Sequence, residues 1–165
     1  MPQYAPITGT ITSIVPFNSG SGQPGCLLEF SLMNQDMGPV TLIVSPNTFV
    51  EDQERLKTGD GITAFYDTMA PMPLIYPPRY QALIIAETDN ELFAFFDYFN
   101  EDLVNTDMTL KLNVPEQNGS EIVMSNGQAF YGNPGGHWLV VLYSTTTRSI
   151  PAMTTPEKIV VFCSE

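Results

Sequence analysis

Acidic side chains crowd one short stretch of this sequence. Glu87, Asp89, Glu91, Asp97, Glu101, Asp102 and Asp107 put seven carboxylates into 21 residues, with Asn90, Asn100 and Asn105 between them. Calcium and similar hard cations gather roughly six to eight oxygens from carboxylates, amides and carbonyls. A loop that makes Asp89, Glu91, Asn100, Glu101, Asp102, Asn105 and Asp107 converge would bind calcium, so these are the candidate metal ligands. An EF-hand is not among the expectations, because no glycine stands at the bend that loop requires. The plainer reading of the same residues is a solvated acidic face.

The remaining reactive side chains are sparse. The single histidine, His137, follows Gly135-Gly136 and precedes Trp138, and no nucleophile lies beside it in the chain. A triad needs a base held against a nucleophile, so no catalytic residues are assigned and no enzyme is expected. Gly20-x-Gly22 leads into a strand pattern rather than a helix, which removes the dinucleotide reading. Cys26 and Cys163 are far apart and flanked by apolar residues, which suggests buried free thiols. Met33, Met37, Met69 and Met72 carry thioethers that suit soft metals, but methionines beside prolines more commonly fill packing gaps. Arg148 stands among hydroxyls and is expected to pair with a carboxylate.

Charge narrows the partners. The 165 residues carry 18 acids and 6 bases, a net charge of −12, and 43% of them are hydrophobic. Nucleic acid and anionic membranes are bound through Lys and Arg, and the six here do not cluster. Neither is expected as a partner. No apolar run approaches the roughly 20 residues of a membrane helix. The opening Met1-Pro2-Gln3-Tyr4-Ala5-Pro6 lacks the basic start and apolar core of a secretory signal. That makes the cytoplasm the default and leaves the cell surface or an extracellular location open.

Any such chemistry must be positioned by β-strands. Residues 10–15 end at Pro16, Leu28, Phe30 and Leu32 alternate with polar residues, and Gly38-Pro39 turns the chain into Val40, Leu42 and Val44. Residues 47–58 are the best helical candidate, with Asn47 or Thr48 as cap. Gly59-Asp60-Gly61 then launches a strand over 62–67. Four prolines between Pro71 and Pro78 predict a stiff, extended loop with an exposed backbone. Residues 81–86 form the last strand of this half. Beyond residue 89 the pattern predicts strands over 92–96, 108–114, 122–124, 129–131, 138–143 and 159–162. Asn118-Gly119 and Asn126-Gly127 are the hairpin turns.

Three strands, a short helix and two strands is the order of an OB-fold, a five-stranded Greek-key barrel. Residues 7–88 resemble that superfamily through Gly9-Thr10-Ile11-Thr12-Ser13-Ile14, Gly38-Pro39-Val40 and Leu56-x-x-Gly59-Asp60-x-Ile62-Thr63. The whole chain also resembles an uncharacterised bacterial family of small β proteins. The shared words are Leu74-Ile75-Tyr76-Pro77-Pro78 and Thr146-Thr147-Arg148-Ser149-Ile150-Pro151. That resemblance implies no activity. The fold expected is therefore all-β. Residues 1–88 would form an OB-like barrel with one short helix, and 89–165 a β-meander or hairpin subdomain packed against it.

Two functions fit this expectation. Strands so poor in lysine leave sheet edges unprotected, and an edge could accept the extended segment Met1–Ile7 of a neighbour. The leading expectation is thus a non-enzymatic protein that self-associates into an oligomer or filament by strand addition, with bound calcium relieving repulsion between acidic subunits. The alternative is a monomeric OB-type module for a neutral sugar or a peptide, with Phe65, Tyr66, Tyr76 and Tyr80 as stacking surfaces.

Overall fold

The computed structural model describes residues 3–18, 25–116 and 119–163. The chain is all-β and divides into two compact units, Met1–Asp89 and Asn90–Glu165. Gly20, Gly22, Met1, Pro2 and Asn118, which figured in the expectations above, lie outside the described residues. Among the described residues no helix is long and apolar enough to cross a membrane.

The first unit is built on β1 (Tyr4–Pro16), β2 (Leu28–Asn34), β3 (Gly38–Val44), β4 (Phe49–Val50), β5 (Gly61–Asp67), β6 (Arg79–Gln81) and β7 (Ile84–Glu87). β1 serves two neighbours in succession. Its first part pairs antiparallel with β5 (Tyr4 with Asp67, through Thr10 with Gly61) and its last part with β2. Between them the register with β2 shifts across Ile11 and Ser13, a bulge at Thr12 whose hydroxyl donates to the Ser31 carbonyl at 3.1 Å. Side chains alternate with period two, so an unbroken strand would aim Ile11 and Ile14 at opposite faces. The extra residue lets Ile7, Ile11 and Ile14 all pack with Phe30, Leu32, Val40, Leu42 and Ile62.

β2 and β3 form the expected hairpin, although the turn is made by residues 35–37 and Gly38 already belongs to β3. Asn34 organises that turn, its Oδ1 accepting the Asp36 and Met37 N–H groups at 2.9 and 2.8 Å. β3 runs parallel to β6, and β7 runs antiparallel to β5. Between β6 and β7 the Ala82 N–H donates to the Ile43 carbonyl (3.0 Å) and the Leu83 N–H to the Phe65 carbonyl (2.9 Å). One run of chain, Arg79 to Glu87, therefore bonds to β3 at its start and to β5 at its end.

The expected five-stranded form with an intervening helix is not seen as such. The first unit is a larger, mixed sheet of order β4-β7-β5-β1-β2-β3-β6. Within 47–58 only a single 3-10 turn, Glu51–Gln53, is helical. Phe49 and Val50, good strand formers, instead pair in parallel with Ile84 and Ile85. Thr48, expected as a helix cap, donates to the Ala82 carbonyl at 2.8 Å. Asp52 (φ 61°) and Gln53 (φ 50°) then enter the left-handed region and stop the turn. A helix of one to two turns is marginal alone, and the sheet offered these residues more.

In the second unit β8 (Phe93–Phe99), β11 (His137–Tyr143), β13 (Lys158–Phe162) and β10 (Glu121–Met124) make a four-stranded sheet of order β10-β13-β11-β8. β9 (Leu110–Leu112) pairs in parallel with β12 (Ala152–Thr154). Phe99, Leu110, Leu112, Leu139, Val141, Ile159 and Val161 form the core. Asn126-Gly127 makes its hairpin turn, with Gly127 at φ 87° and the Phe130 N–H donating to the Ile122 carbonyl at 3.0 Å. The other expected hairpin fails. β10 pairs in parallel with β13 rather than with the 108–114 segment, and that segment keeps only three strand residues.

Candidate functional site

The prolines of residues 71–78 shape the most distinctive surface of the first unit. β5 ends at Asp67, whose Oδ1 accepts the Met69 N–H at 2.8 Å and whose carbonyl accepts the Ala70 N–H at 3.2 Å. Thr68 anchors the same point, its N–H and hydroxyl both reaching the Gln3 carbonyl at 3.1 Å. From there the chain forms an arch without ladder bonds, because proline supplies no donor. It lands where the Thr41 N–H meets the Pro78 carbonyl at 2.9 Å. Leu74 is fully exposed, and Met69 and Tyr76 are 79% and 77% exposed. Large apolar side chains grouped in this way mark an interaction surface more often than scattered ones do.

Beneath the arch lies a cavity of about 190 Å³ lined by Tyr66, Asp67, Ala70, Pro71, Met72, Pro73, Arg79, Tyr80, Gln81 and Leu83. Tyr66 and Tyr80 form one wall, their ring centroids 4.6 Å apart and tilted by 48°. Burial pushes the Tyr80 hydroxyl above its ordinary pKa, and the neighbouring Tyr66 adds to the effect. Of the four aromatics expected to stack on a ligand, Tyr66 and Tyr80 are therefore in place, Tyr76 stands out on the arch, and Phe65 is sealed in the core at 1% exposure.

Arg79 is the unforeseen member. Its guanidinium carbon lies 4.9 Å from the centroid of the Phe17 ring, so the aromatic face carries the cation. Its Nε is buried and has no hydrogen-bond partner among the described residues. No carboxylate among them forms an ion pair with it. The sequence offered one usable signal, an arginine between Pro77-Pro78 and Tyr80 in a chain with six cations. What Phe17 contributes was invisible, because it arrives from the far end of β1.

The acidic stretch does not converge. Among the described residues no three His, Cys, Asp or Glu side chains come together to hold a metal. Asn100 is spent on its own turn, Oδ1 accepting the Asp102 and Val104 N–H groups at 2.9 and 3.1 Å. Asn105 is 2% exposed, and its Oδ1 accepts the Thr109 and Leu110 N–H groups, both at 2.8 Å. Its Nδ2 donates to Thr109 Oγ1 at 2.9 Å and Asp97 Oδ2 at 3.2 Å. A carboxamide bonded on every side has no lone pair to spare for a cation. Glu101 reaches back over Gly136, where an added Cβ would stand 2.7 Å from its Oε1. Asp89, Glu91, Asp102 and Asp107 are exposed.

Other expectations change as well. Cys26 and Cys163 form no disulfide, and both are exposed rather than buried. Arg148 is exposed and pairs with no carboxylate among the described residues. The hydroxyls beside it hold their own loop: Thr147 Oγ1 lies 2.6 Å from Ser149 Oγ and accepts the Met153 N–H at 2.9 Å. His137 packs edge-on against Phe130, 5.9 Å between centroids. The chain from Tyr4 onward is already paired in its own sheet, so residues 4–7 are not a spare strand for a neighbour. β13 is likewise paired on both sides.

No protein-family model matches the chain, and no curated protein is significantly similar to it in sequence.

Proposed function

We propose that this is a non-enzymatic binding protein whose first unit works as an OB-type barrel and whose groove beneath the 68–78 arch takes an apolar stretch of polypeptide. The barrel reading is supported by the pairing order: β1, β2 and β3 in a meander, β5 on β1, and the segment from β6 to β7 joining β3 to β5. The binding reading is carried by one observation, the Tyr66–Tyr80 wall facing a cavity beside an exposed row of apolar side chains.

The occupant follows from size and polarity. At about 190 Å³ the cavity is smaller than the roughly 300–1,000 Å³ that encloses a whole small ligand. It suits one inserted side chain, with the rest of the ligand running along the arch. Prolines and methionines offer few donors for the hydroxyls of a sugar, which favours polypeptide over saccharide. Ligands that bind only the folded state raise its melting temperature. Apolar tripeptides should therefore raise the melting temperature while neutral oligosaccharides leave it unchanged, and Tyr80→Ala should abolish the rise. No response to any peptide at millimolar concentration would remove the proposal.

Self-association is the second reading, and one feature favours it. β8 is an outermost strand of seven residues, Phe93–Phe99, with neither lysine nor proline to guard it. Size-exclusion chromatography should then show an oligomer that Ala94→Lys dissolves, and a monomer at high concentration would end this reading.

A further inference from the structure

We infer that Arg79 recognises a carboxylate, so that the groove takes an apolar side chain followed closely by a single negative charge, as at the C-terminus of a polypeptide. The inference rests on the groove being a peptide site.

Arg79 lacks a partner for one buried nitrogen. Buried polar atoms in folded proteins nearly always have a partner, yet its Nε has none among the described residues. Exposed cations such as Arg148 also lack an ion pair, but water satisfies them, whereas Arg79 carries a buried nitrogen that nothing among the described residues satisfies. Asp67 is the acid that lines the same cavity, and its Oδ1 accepts the Met69 N–H. It does not approach Arg79 within ion-pair distance.

Arg79 is also held in readiness. The Phe17 ring supports the guanidinium, and β6 fixes the backbone through its pairing with Thr41. A guanidinium so placed has lost part of its rotamer freedom before any ligand arrives, which lowers the cost of binding. Its planar fork matches a carboxylate and holds it through charge-assisted hydrogen bonds.

The surrounding charge sets the number of anionic groups. Twelve net negative charges repel a polyanion, while one carboxylate is neutralised by one arginine. A chain terminus supplies that single charge directly beside its last side chain, which can fill the Tyr66–Tyr80 cavity. An acidic patch on a partner would bring several carboxylates and meet the repulsion instead.

The test uses two acetylated tripeptides of alanine, proline and leucine, identical except that one ends in a free carboxylate and the other in a carboxamide. Calorimetric titration of the full chain should show the acid binding about tenfold more tightly than the amide. Arg79→Gln should bring that ratio close to one. Arg79→Lys, which keeps the charge and loses the fork, should give an intermediate ratio and serves alone if the Gln variant does not fold. Equal affinities for acid and amide in the unaltered chain, or a ratio that survives both substitutions, would overturn the carboxylate assignment and leave the groove reading intact. If neither peptide binds, both fall.

Discussion

Replacing Asn105 separates a structural amide from a cation ligand. Asn105→Ala removes the acceptor of the Thr109 and Leu110 N–H groups, of which the Leu110 bond is buried and the Thr109 bond partly so. Each buried donor left without a partner costs about 1–3 kcal/mol, so the two together cost about 2–6 kcal/mol. The single tryptophan, Trp138, lies on β11 in the same unit and reports the transition by fluorescence during urea unfolding. Asn105→Asp separates the acceptor role of this side chain from its donor role. It keeps the acceptor but turns the donor facing Asp97 Oδ2, now at 3.2 Å, into a second carboxylate oxygen. Like charge and burial raise the folded-state pKa of such a group. Its contribution to stability is then fully present below the unfolded value near 4 and is lost as pH rises through the higher folded value. The Asp variant should therefore approach the parent protein in acid and fall behind it at neutral pH. An Ala variant within about 0.5 kcal/mol of the parent, the usual range for inconsequential surface changes, would refute the account of this loop. A loss that appeared only when calcium was present would do the same and restore the metal reading.

Other perturbations have equally definite outcomes. At Gly61 an added Cβ would stand 2.6 Å from the Thr88 carbonyl oxygen, so Gly61→Ala should lower stability by about 1–3 kcal/mol in a denaturant titration. Phe99→Ala empties a position of 0% exposure in the second core and should cost about 3–5 kcal/mol by the same measurement. Burial raises the pKa of both Tyr80 and Tyr143. Their contribution to stability is complete below the ordinary tyrosine value near 10 and disappears as pH climbs through the folded values. Absorbance titration should thus find two tyrosines ionising late, and Tyr80→Phe should remove one of them. Both cysteines are exposed, so a thiol reagent should label two sites per chain without denaturant.

Much of the architecture was legible because it follows from local pattern. The alternation Leu28-Phe30-Leu32 and Val40-Leu42-Val44 has one burial solution, and the hairpin formed on it. Asn126-Gly127 likewise turned where its backbone preference dictates. The misses share a physical cause, a distant partner that outweighs a local preference. Phe49-Val50 left the helical pattern for pairing with Ile84 and Ile85, some 35 residues away. The alternating run from Met108 to Val114 was cut short because Asn105 captured the Thr109 and Leu110 N–H groups, and Met108 sits at φ 56°. The parallel pairs β10–β13 and β9–β12 join residues far apart in sequence, which no turn signal announces. The groove was half visible. Proline density announced the arch and aromatic spacing announced Tyr66 and Tyr80, but the stranded cation depended on Phe17, more than sixty residues earlier. The acidic residues neighbour one another in sequence, yet among the described residues no three His, Cys, Asp or Glu side chains come together.

Two-dimensional NMR of the full chain, titrated with the free-acid tripeptide, shows residue by residue whether the groove is where the peptide binds. The groove account expects resonances of Tyr66, Met72, Arg79 Nε–H, Tyr80 and Leu83 to move together and saturate along one binding curve. Spectra that stay unchanged at millimolar peptide, or shifts confined to β8 and the rest of the second unit, would contradict it.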